Sequence, residues 1–383
     1  MLRRSFLSLA FAKSVKITGV EIYNIRIPVS KDEAAAGVNF AYNVVEVATD
    51  AGVTGYSFAG PGAGQLPAVR QLLVGRDVFG VEGMLAGGLI KWGGVEHAVW
   101  DAIGKIAGQP AYKLLGGAKT RVPAYLTCVW RGKLDQSHVP YRDQADMAVK
   151  IKKAGFKGMK IRAWRPQPMD DVDACAEIMR AVGSEFSLMF DRTAHAPQSV
   201  GQKVWDFETG LKVSRGLEKA GAAWIEEPYA RDDYESPAKL AAMLDMPVTG
   251  GEGYQGTEAY KQCLLHRTYD ILQPDGRNVG GIFLCRKVAT MAEAFHVPVI
   301  LHGTMGLMLA GWLQATLAIG APWQEVALIS PPLLPAEQWA PGLRVLKQKE
   351  MFQIENGELV ASELPGIGLD VNAEALREFR VTA

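Results

Sequence analysis

The sequence has no excess of either charge. Its 41 lysines and arginines are matched by 41 aspartates and glutamates across 383 residues. That balance argues against a generally basic nucleic-acid binder and against an acidic solvating tail. Cysteine is scarce: Cys128, Cys175, Cys263 and Cys285 lie far apart, and no two form a Cys-x-x-Cys pair. They support neither a disulfide framework nor a zinc site, and they suit a reducing compartment. No strict G-x-G-x-x-G follows the stretch Gly60-Pro61-Gly62-Ala63-Gly64, which therefore reads as a surface loop rather than a phosphate cradle. Long uncharged runs are lacking too, with one exception, Gly303 to Gln324. That run is long enough to suggest a membrane span, but Thr304, Gln314, Thr316, Gly320 and Pro322 interrupt it. A buried or subunit-packed helix is the better reading, so a homo-oligomer is expected and a membrane partner is not.

What is present is ordinary globular material. The chain is 48% hydrophobic and 21% charged, which supplies a sizeable core and excludes wholesale disorder. Its length suits two domains, or one large barrel with an appendage. The start, Met1-Leu2-Arg3-Arg4-Ser5-Phe6-Leu7 with Ala10-Phe11-Ala12 behind it, sketches an export signal. Its apolar run is short and a strand-like segment follows at once, so a cytoplasmic location is expected and export is the lesser alternative.

From Val15 to Val29 apolar and polar residues roughly alternate, and Asn43 to Tyr56 does so around a turn at Asp50-Ala51-Gly52. This is the pattern of an antiparallel β-meander. Val95, Val99, Ile103 and Ile106 then mark an amphipathic helix. After Arg121 short apolar strands alternate with longer helices to about residue 330. The strand candidates are Val122–Cys128, Gly158–Arg162, Phe186–Phe190, Ala223–Glu226, Pro247–Thr249, Asp270–Leu272, Val297–Leu301 and Glu325–Leu328. Eight such alternations predict an α/β fold, a (β/α)8-type barrel, rather than an open doubly wound sheet. The predicted organisation is an extension over 1–14, an α+β capping domain over 15–120 and the barrel over 121–340. The segment 341–383 would return to the cap.

Active sites of such barrels gather at the C-terminal ends of the strands. Polar groups collect there, strand after strand: Lys160 and Arg162, Asp191, Glu226 with Glu227, Glu252, Asp275 and His302, and the eighth strand begins at Glu325. One charge at a strand end is usually a solvated rim residue, but seven ends in a row are not. Strand alternation gives Lys160 and Arg162 one face, turns Glu226 inward and sends Glu227 elsewhere. Asp191, Glu226, Glu252 and Asp275 bring four negative charges against two positive. Converging carboxylates cannot all stay ionised without a neutralising partner. An oxygen-only set points to a hard cation, with Mg²⁺ the default and zinc disfavoured. Asp275 and His302 can pair, the carboxylate fixing the tautomer and leaving the other nitrogen to move a proton. His97, His138, His266 and His296 read as structural, and His195 stays open because it lies just beyond Asp191.

Several stretches together resemble the enolase superfamily in its mandelate racemase-like branch. They are Glu96-His97-Ala98-Val99-Trp100-Asp101-Ala102-Ile103-Gly104-Lys105 with Leu114-Leu115-Gly116-Gly117, then Trp224-Ile225-Glu226-Glu227-Pro228 and Gly251-Glu252-Gly253. Gln273-Pro274-Asp275 through Gly280-Gly281, and Leu364-Pro365-Gly366-Ile367-Gly368, complete the series. The resemblance implies Asp191, Glu226 and Glu252 as Mg²⁺ ligands and Asp275 with His302 as the dyad. It also implies a protonated Glu325 that donates to a substrate carboxylate. The shared step would be removal of the proton beside a carboxylate, with the enediolate stabilised by the metal, Lys160 and Glu325. Specificity would come from the loop near Pro28–Asn39 and the glycine-rich loop near Gly60.

One position departs from the family. Its usual Lys-x-Lys is here Lys160-Ile161-Arg162, and arginine is a poor base. A racemase needs a base on each face, whereas dehydration needs one base and one acid. The expected function is therefore dehydration of a sugar acid to a 2-keto-3-deoxy acid, with Arg162 binding substrate. A racemase, epimerase or cycloisomerase of the same superfamily is the alternative, with Lys160, its pKa lowered by the neighbouring cation, as a second base. A catalytically silent carboxylate-binding barrel is the alternative of another class.

Overall fold

The structure is a computed structural model that describes residues 14–35, 38–130, 138–193, 203–329 and 334–381. The Met1–Ala12 segment and His195 lie outside the described residues. Alternation near the start of the chain produces β1 (Ile17–Ile27), whose Val20, Ile22, Ile25 and Ile27 are buried. It pairs antiparallel with β2 (Phe40–Thr49), which pairs with β3 (Thr54–Ser57). The buried face of this sheet lies on the Gly93–Ala107 helix, where every residue from Gly93 to Gly104 is buried. A helix buried all round must be covered on more than one side, and this one lies between the cap sheet and the barrel. Close approach explains Gly55: a Cβ there would stand 2.6 Å from the Ala102 nitrogen.

The barrel strands are β4 (Arg121–Val129), β5 (Gly158–Arg162), β6 (Ser187–Asp191), β7 (Trp224–Glu226), β8 (Val248–Gly250), β9 (Ile271–Leu272) and β10 (Gln324–Ile329). They pair in parallel in that order from β4 to β9, and β10 pairs with β4. The expected strand at Val297–Leu301 is not a ladder strand. It fills the stave between β9 and β10 through isolated bridges, Leu272 to Val299, Asp275 to His302 and Thr304 to Val326. Pro298 lies within this stave and Pro274 just beyond β9, and a proline has no N–H to give to a ladder. Three backbone bonds still tie the stave to β9: Leu272 N to Pro298 O at 3.0 Å, Ile300 N to Leu272 O at 3.0 Å and His302 N to Pro274 O at 3.1 Å.

After the barrel a hairpin of β11 (Gln353–Glu355) and β12 (Glu358–Val360) adds antiparallel to the start of β4. The chain then crosses the cap. Val381 N bonds to Asn24 O at 2.9 Å on β1, and Gly366 N bonds to Gln109 O at 3.0 Å. The uncharged run from Gly303 to Gln324 contains the Leu309–Ile319 helix, whose residues from Leu309 to Ala318 are all buried within this one chain. It therefore needs no second subunit to cover it, and the expectation of a homo-oligomer loses the observation it rested on. Among the described residues no helix is long and apolar enough to cross a membrane.

Asp101 ties three segments together. Its buried carboxylate accepts from Tyr56 N at 2.7 Å, Ile367 N at 2.9 Å and Lys105 Nζ at 2.6 Å. Asp101→Ala would leave two backbone donors without their acceptor and the Lys105 ammonium with the Thr54 carbonyl alone. We expect it to lower unfolding free energy by about 2–4 kcal/mol, with Asp101→Asn losing less. Chemical denaturation checks this; an unchanged midpoint for the alanine variant would count against the staple.

Candidate active site

The expected residues converge at one end of the barrel because parallel register stacks the strand ends. Arg162 stands opposite Asp191, and Asp191 opposite Glu226. Met159 and Ile161 alternate with Lys160 and Arg162 along β5 and are buried, so the two cations share the inner face. Lys160 is fully buried, and its Nζ lies 2.6 Å from Glu226 Oε2, 2.8 Å from Glu325 Oε1 and 3.6 Å from Asp191 Oδ2. Burial alone would discharge it, but these three carboxylates raise its pKa above the ordinary lysine value. The expectation of a lysine depressed by Arg162 is thereby corrected: the carboxylates outweigh the guanidinium. Arg162 turns its Nη1 onto Asp191 and the Thr193 hydroxyl.

Glu226 carries the largest share of the charge conflict. Burial and repulsion from Asp191 push its pKa up to about 8, against the pull of Lys160. Its Oε2 also accepts from Gln273 Nε2 at 2.9 Å, while its Oε1 is buried and accepts no hydrogen bond. Glu325 is corrected in the opposite sense. Burial would raise it, but Lys160 and His302 prevail and hold its pKa down to about 2. It accepts from Tyr125 Oη at 2.9 Å, Gly303 N at 2.9 Å and the Thr127 hydroxyl. An acceptor so surrounded by donors is a carboxylate, not the protonated acid expected.

His302 Nδ1 stands 3.0 Å from Asp275 Oδ2, the anticipated dyad. Its Nε2 lies 2.8 Å from Glu252 Oε2, close enough for an ion pair although that oxygen accepts no well-directed hydrogen bond. Burial works against a charged ring, yet Glu252 and Asp275 raise the His302 pKa well above the ordinary imidazole value. Glu252 in turn sits well below the usual carboxylate range: burial opposes this, but His302, Arg231 and Arg162 overcome it. Glu227 is turned aside, as alternation requires. It has φ +42° and is clamped by Arg231 Nε at 2.9 and 2.8 Å.

As the side chains stand, Arg162 occupies Asp191, while Arg231 and His302 occupy Glu252. Among the described residues no three carboxylate, imidazole or thiolate groups are gathered tightly enough to hold an ion. The donor set nevertheless fits a hard cation. Glu226 Oε1 is a buried oxygen in want of a positive partner, and the neighbouring strand ends offer oxygens alone.

Four contributors escaped the sequence reading: Tyr125, Thr127, Gln273 and Arg231. The first two lie two residues apart on β4, facing β5 and β10, and their period-2 spacing was a usable signal. Gln273 is likewise two residues from Asp275. Arg231 has no local signal, since it reaches Glu252 from the loop beyond β7. The glycine-rich loop at Gly60 lines a crevice of about 470 Å³ with Asn43, Lys91, Trp92, Arg277 and Asn278, at the seam between cap and barrel.

Comparison with known proteins follows the same lines. The Enolase C-terminal domain-like family matches residues 142–375. Arabinonate dehydratase of Saccharolobus solfataricus is 32% identical over 304 residues, covering 79% of this chain and 74% of that protein. D-galactarolactone cycloisomerase of Agrobacterium fabrum is 27% identical over 391 residues, covering 96% of this chain and 99% of that one. Among solved structures, D-glucarate dehydratase from Agrobacterium tumefaciens complexed with magnesium superposes with a TM-score of 0.80 at 27% identity. That superposition covers 96% of this chain and 99% of the other. With the capped barrel, the ring of carboxylates and this family match all agreeing, the chain belongs to the enolase superfamily, in its mandelate racemase-like branch.

Proposed function

We propose that this protein is a Mg²⁺-dependent acid-sugar dehydratase that converts a sugar acid into a 2-keto-3-deoxy acid. The observation that carries this reading is an asymmetry across the site. One side presents the His302–Asp275 pair at 3.0 Å. The other presents Arg162, whose guanidinium does not deprotonate, and Lys160, whose Nζ lies 2.8 Å from Glu325, a carboxylate outside the proposed metal set. One group able to exchange protons suffices for elimination, whereas a racemase needs one on each face.

Asp191, Glu226 and Glu252 are the residues that would hold Mg²⁺. When bound, the ion supplies charge stabilisation for the enediolate oxygens. Lys160 holds a fixed positive charge beside the same oxygens, without reorganisation. Were Glu252 to hold the ion, Asp275 would remain as the carboxylate paired with His302 Nδ1. Nε2 then takes the proton from the α-carbon and returns it to the hydroxyl leaving the β-carbon as water. The enol left behind becomes the 2-keto acid. Glu325, an anion in this structure, orients Lys160, Tyr125 and the Gly303 amide. Arg162 binds distal oxygens of the substrate.

The dehydratases among the relatives support this reading, and arabinonate dehydratase covers most of both chains. A cycloisomerase reading is favoured by the near-complete coverage of D-galactarolactone cycloisomerase. Incubation with Mg²⁺ and a library of mono- and di-acid sugars in deuterated buffer separates the two. We expect a 2-keto-3-deoxy product from one small stereochemical group, abolished by a chelator and reduced about 10²–10⁴-fold in His302→Asn. Deuterium at the α-carbon without loss of water would instead indicate an epimerase or cycloisomerase. Arg162→Lys places a deprotonatable amine on the opposite face. It should bring detectable α-epimerisation, read by NMR, while no change in any activity would count against a role for Arg162 at the substrate.

A further inference from the structure

The Gly93–Ala107 helix belongs to the cap, yet its inner face touches the barrel segment that follows Asp275. Glu96 accepts from Ile282 N at 2.8 Å and Phe283 N at 2.9 Å. It thus caps the Ile282–Glu293 helix from another part of the fold. One turn of chain earlier in that segment, His97 Nε2 stands 3.0 Å from the carbonyl oxygen of Gly276. A carbonyl can only accept, so Nε2 carries the hydrogen. The ring is 1% exposed, and burial pushes its pKa down to about 4, which keeps it neutral. It has no freedom to leave. Trp312 meets it edge-on at 5.1 Å, and a Cβ on Gly311 would strike its Nδ1 side. Gly276 is pinned as well, since a Cβ there would lie 3.0 Å from the Trp312 ring.

The consequence lies in one peptide plane. The Gly276 carbonyl and the Arg277 N–H belong to the same peptide and point in opposite directions. The carbonyl is held by His97, and the N–H donates to Asp275 Oδ1 at 2.9 Å, joined by Asn278 N at 2.7 Å. With Oδ1 so engaged, Oδ2 is the oxygen that faces His302 Nδ1. We propose that His97 is a positioning residue for the reaction: from the cap it orients the Gly276–Arg277 peptide, and through it the Asp275 carboxylate that holds His302. The inference rests on the dyad reading above in assigning Asp275 and His302 their part in catalysis.

The test pairs two unbranched substitutes, one with an amide donor and one without. His97→Gln keeps an N–H near the place of Nε2; His97→Met fills the space and donates nothing. We expect His97→Met to lower kcat on the accepted sugar acid by about 10²-fold, the scale of a small misplacement of reacting groups, with KM little changed. His97→Gln should recover most of that loss. In parallel, hydrogen–deuterium exchange of the segment 275–281 should rise in His97→Met, and in His97→Gln stay close to that of the unsubstituted protein. Equal losses of kcat in both variants, tracking a fall in unfolding midpoint, or an unchanged exchange rate of that segment, would overturn the proposal. If His97→Met fails to fold, Gly311→Ala, which crowds the ring from behind, serves in its place with the same expected exchange. Should the unsubstituted protein turn over no sugar acid, the dehydratase reading fails, and segment exchange decides the positioning of the Asp275 loop by itself.

Discussion

A buried ammonium among carboxylates organises the mouth of this barrel. Lys160 is fully buried, and Glu226, Glu325 and Asp191 close around it. Neither side could be buried without the other, because an unpaired charge in such a place is costly. The arrangement leaves more negative than positive charge. Its surplus shows as a Glu226 pushed toward protonation, with one oxygen that meets no donor. A divalent ion answers that surplus, which is why the metal proposal grows from the charge balance as much as from kinship.

The same constraint decides which groups can exchange protons. Lysine and arginine side chains tied to carboxylates are fixed positive poles. The imidazole between Asp275 and Glu252 differs in kind, because one ring nitrogen can hold Asp275 while the other carries a proton, whereas a guanidinium does not deprotonate. With a cation on Glu252, Asp275 would remain as the imidazole's paired carboxylate, and the proposed proton transfer falls to this ring.

Around this mouth the cap does more than cover. The Gly93–Ala107 helix meets the cap sheet through Asp101 and Tyr56, the closing tail through Asp101 and Ile367, and the barrel through Glu96 and His97. Three parts of the chain distant in sequence are thus tied to one helix. The glycines along it are the geometric counterpart, since backbone approaches this close exclude a Cβ.

Much of this was legible in the chain itself. The β/α rhythm and the period-2 alternation are local properties, so they placed Lys160, Asp191, Glu226, Asp275, His302 and Glu325 at strand ends, with Glu227 turned away, before any contact was known. Strand boundaries slipped by a residue or so, and Val297–Leu301 became a bridged stave because Pro298 within it and Pro274 just beyond β9 lack ladder donors. What local pattern could not decide was anything dependent on several neighbours at once. The ionisation of Lys160 and Glu325 follows from a sum over groups on different strands, and both expectations were reversed for that reason. Arg231 reaches Glu252 from a loop whose path no periodicity records. His97 looked like an ordinary buried histidine, and its bond to Gly276 exists because helix and loop, 179 residues apart, meet in the folded chain. The order of residue types along the chain settled which groups line the site; the packing of distant segments settled their charge, their partners and the direction in which they point.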